Sequence, residues 1–246
     1  MTYPLKAVVR RGAPLGWLLL TATLVMSSSL GAWADTVRPV ETPLDALANT
    51  AAIVEGTVKE SFYTFDSQAG PRTVAPLVDV TTDFGRFEGR TLELATLGGP
   101  IDEKQELFVP EFPLLTDDTR YLVFLTNVDW FFSPVVDDYV FRLEKGPRGT
   151  DVLIAPSGHA VEGLTADGLE FSDEPVVDQN VDVSRPNVKP RLVENADRLL
   201  ANAMSKDDFL AAVRTLLSTV PLQGEFRGSP AKDRVWNRIA AEAPPR

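Results

Sequence analysis

One histidine, His159, and no cysteine occur in the 246 residues, and this sets the range of chemistry open to the chain. A serine hydrolase would have to draw on Ser157, His159 and Asp151. Ser157 and His159 lie two apart in Pro156-Ser157-Gly158-His159, with no G-x-S-x-G elbow around them. That tetrapeptide reads more simply as a hairpin turn. Zinc and iron sites draw on several histidines or thiolates, which one histidine cannot supply. Calcium takes oxygen ligands alone, and Asp178-Gln179-Asn180-Val181-Asp182 opens like a calcium loop. Its sixth position is Val183 where glycine is needed, and its twelfth is Lys189 where a bidentate acid is needed, so it is not an EF-hand. The adjacent carboxylates Asp117-Asp118 and Asp137-Asp138 are a second candidate for hydrolysis, as the acid–base pair of a glycosidase. Each is expected in a loop beside a strand, where such residues form solvated turns. No phosphate-binding glycine motif is present. The sequence therefore assigns no catalytic residue, no metal ligand and no cofactor.

The remaining candidate is a contact surface. Asp129-Trp130-Phe131-Phe132-Ser133-Pro134 places three large aromatic residues in succession. Neighbouring side chains on a strand point to opposite faces, so Trp130, Phe131 and Phe132 cannot all enter one core. Either C-terminal helices cover the surplus through Met204, Leu210 and Trp236, or it is exposed as a contact point for a protein or carbohydrate partner.

The N-terminus places these residues in a compartment. Lys6, Arg10 and Arg11 precede Leu15–Met26, an apolar run of twelve residues. A signal-peptide core has that length, whereas a membrane-crossing helix needs about 20 residues. Ala32-Trp33-Ala34 supplies small residues for cleavage between Ala34 and Asp35. The expectation is an exported protein, periplasmic or extracellular, released by the general secretory route and not retained in the membrane. Three of the 24 basic residues and none of the 35 acidic ones lie in residues 1–34, so the remainder carries a formal charge of −14. Such a charge repels nucleic-acid phosphates and anionic lipid. Without cysteine there is no disulfide, and the fold must rest on its core.

Six or more short strands are expected between residues 51 and 173. Ala52–Val58 is β-branched. Leu77–Phe84 and Thr91–Thr96 alternate apolar and polar residues, with Gly98-Gly99-Pro100 ending the second. Tyr121–Leu125 is apolar on both faces and reads as the central strand. Tyr139–Leu143 and Val152–Ala155 flank the turn formers Gly146-Pro147-Arg148-Gly149, and a further pair flanks Asp167-Gly168. Short strands with local connections describe a mainly β fold, a small antiparallel barrel. Residues 35–50 read as a lead-in and 174–190 as a linker. Residues 191–246 hold two or three short helices: one with Val193, Ala196, Leu199 and Leu200 on one face, one capped by Ser205, and one beginning at Ser229-Pro230 that carries Val235, Trp236 and Ile239.

Ile53-Val54-Glu55-Gly56-Thr57-Val58, Phe87-Glu88-Gly89, Leu97-Gly98-Gly99 and Arg120-Tyr121-Leu122-Val123-Phe124-Leu125 occur in this order. The series resembles a diffuse family of exported bacterial proteins of uncharacterised role. It covers residues 51 to about 165. Glu88-Gly89 stands where that family has Lys-Gly, and Asp117-Asp118 where it has Gly-Glu. The resemblance implies a small barrel related to the oligonucleotide/oligosaccharide-binding (OB) fold and carries over no catalytic residue. Together these readings describe an exported, non-catalytic binding or interaction module. The alternatives are a secreted hydrolase using Ser157 and His159 or a carboxylate pair, and a calcium-dependent surface or adhesion module.

Overall fold

A computed structural model describes residues 42–66, 70–100, 106–107, 115–127, 135–178 and 190–227. Along the chain these form α1 (Pro43–Ala48), β1 (Ala52–Val58), β2 (Phe62–Asp66), β3 (Gly70–Gly85), β4 (Thr91–Leu97), β5 (Gly99–Pro100) and β6 (Glu106–Leu107). Then follow β7 (Arg120–Leu125), β8 (Val135–Lys145), β9 (Asp151–Ile154), β10 (His159–Leu164), β11 (Leu169–Pro175), α2 (Ala196–Leu200) and α3 (Lys206–Leu216). The chain is mainly antiparallel sheet with a few short helices. One sheet has nine strands, and β5 and β6 make a second, two-stranded one.

The long β3 organises one half of the large sheet. Its first part pairs with β2 and its second with β1, while β4 runs along the opposite side, so that Thr73 is registered with both Tyr63 and Thr96. Beyond β1 the order continues β7, β8, β9, β10, β11. The register of β1 on β3 shifts between Glu55 and Thr57. A Cβ on the intervening Gly56 would stand 2.6 Å from Leu77 Cγ, so glycine lets the two strands approach. β7 lies between β1 and β8 with Tyr121–Leu125 buried throughout, as its continuous apolar run requires.

Both faces of this sheet are packed. On one face Ile53, Leu122, Phe124, Phe141, Leu143, Leu153 and Val161 meet Ala46 and Leu47 of α1 and Phe209 and Val213 of α3. On the other, Val54, Val58, Leu77, Leu92, Leu94, Val123, Leu125 and Val140 form a second core. A smaller core joins Val152, Ile154 and Ala160 to Val176, Val177 and the α2 residues Ala196 and Leu200.

The helix ends follow ordinary capping chemistry. Ser205 Oγ accepts the Asp208 N–H at 3.1 Å, and Met204 and Phe209 meet in the first core as a hydrophobic staple across the cap. α1 falls in the segment read as a lead-in. It is closed by a capping box in which Thr42 Oγ1 accepts from the Asp45 N–H and Asp45 accepts from the Thr42 N–H.

Two expectations need adjustment, and two others lie outside the described residues. Among the described residues the ladders leave the sheet open, since no ladder joins β4 to β11, and closure into a barrel is not seen. The strand series continues past residue 173, because β11 reaches Pro175 and Val176 and Val177 are buried. The remainder of the expected linker, residues 179–189, lies outside the described residues. So does the helix expected from Ser229.

Candidate functional site

The structure separates the residues proposed for hydrolysis. Pro156–His159 is the turn joining β9 to β10, with Gly158 at φ +83° and its N–H donating to the Ala155 carbonyl. His159 Nδ1 lies 2.7 Å from the Ser172 carbonyl oxygen. A carbonyl only accepts, so Nδ1 carries the proton and ties the start of β10 to β11. Ser172 Oγ completes the tie, accepting the Ala160 N–H and donating to the Glu174 carbonyl. Ser157 stands exposed in the turn, and no Ser157–His159 hydrogen bond forms. Asp151 faces the cations Arg120 and Lys145.

The carboxylates of the first pair have structural partners. Asp117 Oδ1 accepts the Ser61 N–H at 2.8 Å, and the Asp118 N–H donates to the Val58 carbonyl while its side chain pairs with exposed Lys59. Asp118 adopts φ +56°, a left-handed conformation that Asp tolerates in turns. Asp137 and Asp138 lie within β8, not in a loop, because β8 extends back to pair Val135 with Leu125. Trp130, Phe131 and Phe132 fall outside the described residues, as do the cleavage residues Ala34 and Asp35. The calcium-like loop does so from Gln179 onward. Among the described residues no group of three acidic, histidine or cysteine side chains is placed to hold a metal ion. None of the described helices is long and apolar enough to cross a membrane.

The densest set of interacting charges among the described residues is one the sequence reading did not single out. It lies at one end of the sheet, on the face that carries α3. Glu55 is two residues from Ile53, Arg120 two from Leu122 and Asp151 two from Leu153, so strand alternation turns all three toward α3. Glu55 accepts from Arg120 Nε at 2.9 Å and pairs through its second oxygen with Lys206, the first residue of α3. Lys206 also lies 3.4 Å from Asp83 of β3. Arg120 reaches Asp151 at 3.0 Å, and Lys145 reaches the same carboxylate at 2.8 Å. Three carboxylates thus balance three cations.

Burial and pairing compete across this set. Desolvation would raise the Glu55 carboxyl, but hydrogen bonds from Lys206 and Arg120 outweigh it and hold the group below its ordinary value. Asp151 behaves likewise, with Lys145 and Arg120 overcoming desolvation. Lys206 is pushed up, since Glu55 and Asp83 more than offset its burial. Asp83 goes the other way: burial raises it, Lys206 only partly counters this, and the negative charges of Glu55 and Asp207 add to the rise. A lysine at a helix N-terminus opposes the helix dipole, so Lys206 depends on these carboxylates. The arrangement balances its charges internally and fastens α3 to β1 and β3, with Arg120 of β7 joined through Glu55. A backbone bridge between Ser205 and Val152 adds a link to β9.

The raised Asp83 has a consequence of definite sign. A carboxyl that binds its proton more tightly when folded removes stability as pH climbs through its unfolded and then its folded value. Asp83→Asn should therefore raise the melting temperature at neutral pH. The gain should vanish near pH ~3, where aspartate is protonated in both states. Thermal melts of both proteins across that range check this, and a uniform loss at every pH would contradict it.

Comparison with models of known protein families, with curated proteins and with solved structures gave no match. The family likeness therefore rests on the quoted strand and turn residues alone.

Proposed function

We propose that this chain is an exported, non-catalytic binding or interaction module whose partner is a protein or carbohydrate, with neither nucleic acid nor a membrane as its target. The observation that carries this reading is the structural work done by the candidate catalytic groups. His159 is fixed to the Ser172 carbonyl, Asp117 to the Ser61 amide and Asp151 to two cations. The aromatic run Trp130–Phe132 supplies the contact residues, and cleavage between Ala34 and Asp35 frees the chain into the periplasm or the medium.

The OB-like barrel belongs to the same proposal. Its support is that Ala75, Leu77, Leu92 and Leu94 are buried in the core on the face away from α1 and α3. Coiling of the sheet onto itself supplies that cover.

The test is capture of partners from the native compartment by the exported protein, set beside Trp130→Ser/Phe131→Ser. Capture should be lost while the melting temperature holds. A large fall in stability would make these aromatics core residues. A hydrolytic activity abolished by His159→Ala would overturn the non-catalytic assignment. N-terminal sequencing should begin at Asp35.

A further inference from the structure

We infer that the outer edge of β11, unpaired among the described residues, accepts, by strand addition, an extended basic peptide segment of a partner protein, with Phe171 as the apolar anchor. This rests on the binding-module reading and specifies the partner's chemistry. β11 ends the strand order, and among the described residues no strand lies beyond Leu169–Glu174. An edge of that kind presents main-chain donors and acceptors ready to pair with another segment.

Two features select the occupant. Phe171 is 43% exposed, although its cross-strand partner Val161 is fully buried in the core that includes α3. α3 packs on β9 and β10, so Phe171 continues that apolar surface out to the rim. An added strand would cover it with a side chain directly opposite. The surrounding charge is acidic: Glu162, Glu170 and Asp173 are exposed, and no ion pair joins them to a cation among the described residues. Glu174 does have partners, Arg198 at 3.6 Å and Asn195 at 3.1 Å. A second copy of the same edge would bring like charges together, whereas lysines and arginines on an incoming strand would meet opposite ones. The register of β11 on β10 shifts twice, between His159 and Val161 and between Val161 and Gly163. The resulting twist suits a short segment better than a long flat strand.

Two labelled peptides of equal length, one alternating lysine with valine and one alternating glutamate with valine, test this on the full chain by fluorescence anisotropy. The lysine peptide should bind about tenfold more tightly or better, and weaken with added salt. Its binding should slow amide exchange in Leu169–Glu174. Phe171→Ser should weaken it about tenfold, as loss of an apolar anchor does, at an unchanged melting temperature. Glu170→Lys/Asp173→Lys should reverse the preference between the peptides. Equal affinities, protection elsewhere, or an unaffected Phe171→Ser protein would overturn the site. Trp130- and Phe131-dependent capture alongside a negative peptide result overturns β11 and leaves the binding-module reading standing.

Discussion

Phe209→Ala should lower the stability of the folded chain by about 3–5 kcal/mol, the range for removing a buried phenylalanine. Phe209 sits in the first turn of α3 and is fully buried. Its ring centroid lies 5.3 Å from that of Phe141 and 6.3 Å from that of Phe124, both edge-on, and Tyr139 packs beside those two. Truncation leaves a void bounded by two rings on two sheet strands, which cannot collapse without moving the sheet. Edge-to-face contacts worth about 0.5–1.5 kcal/mol a pair are lost as well. Domains of this kind have about 5–15 kcal/mol in total, so the melting temperature should fall by about 10 °C. Phe209→Leu should cost less than half as much. The check is a set of thermal and denaturant melts, with amide exchange following α3. If the alanine protein loses less than about 1 kcal/mol, α3 is not held by this ring, and the first core is sustained by the sheet and α1 instead.

The strands read from β-branching, alternation, a continuous apolar run or flanking turn formers are present, as Ala52–Val58, Thr91–Leu97, Arg120–Leu125 and Asp151–Ile154. Ser205 was legible for a similar reason, since capping depends on residues a few positions apart. Elements with weak local signals were not. α1 has six residues, too few for a helical period to show, and is marked by Thr42, Pro43 and Asp45 alone. β3 extends through Pro71 and Pro76, which normally argue against a strand interior, so only its second half could be read. Whether the ladders close could not be read either, because alternating strands are common to barrels and open sheets. The charge network was invisible for another reason. Glu55 and Lys206 are 151 positions apart, and pairing at that distance leaves no local trace. One hint was present: Glu55 is the one charged residue of a largely apolar strand, and such a residue needs a partner.

Glu55 is also where a single substitution should act on the most elements. Glu55→Ala should cost about 2–3 kcal/mol, below the 3–5 typical of breaking a fully buried pair, because solvent screens part of the network. Glu55 and Lys206 are 14% and 18% exposed, whereas Arg120 is 38% exposed and can turn toward water. The penalty should therefore come chiefly from Lys206, left with only Asp83 at the dipole-positive end of α3. The sign with pH follows from the lowered Glu55 carboxyl. Its contribution is complete above the unfolded glutamate value of about 4.3 and is lost as pH falls through the lower folded value. Wild type and Glu55→Ala should thus converge in acid. Glu55→Gln should fall between them, since it keeps the shape and an acceptor but not the charge. The double variant Glu55→Leu/Lys206→Met removes both ends at similar volume and should recover most of the loss, as apolar replacement of a buried pair commonly does. A double-mutant cycle measured at neutral pH and in acid decides the matter. A double variant as unstable as Glu55→Ala would show that Glu55 acts through Arg120 and the strands, with Lys206 contributing little to the docking of α3.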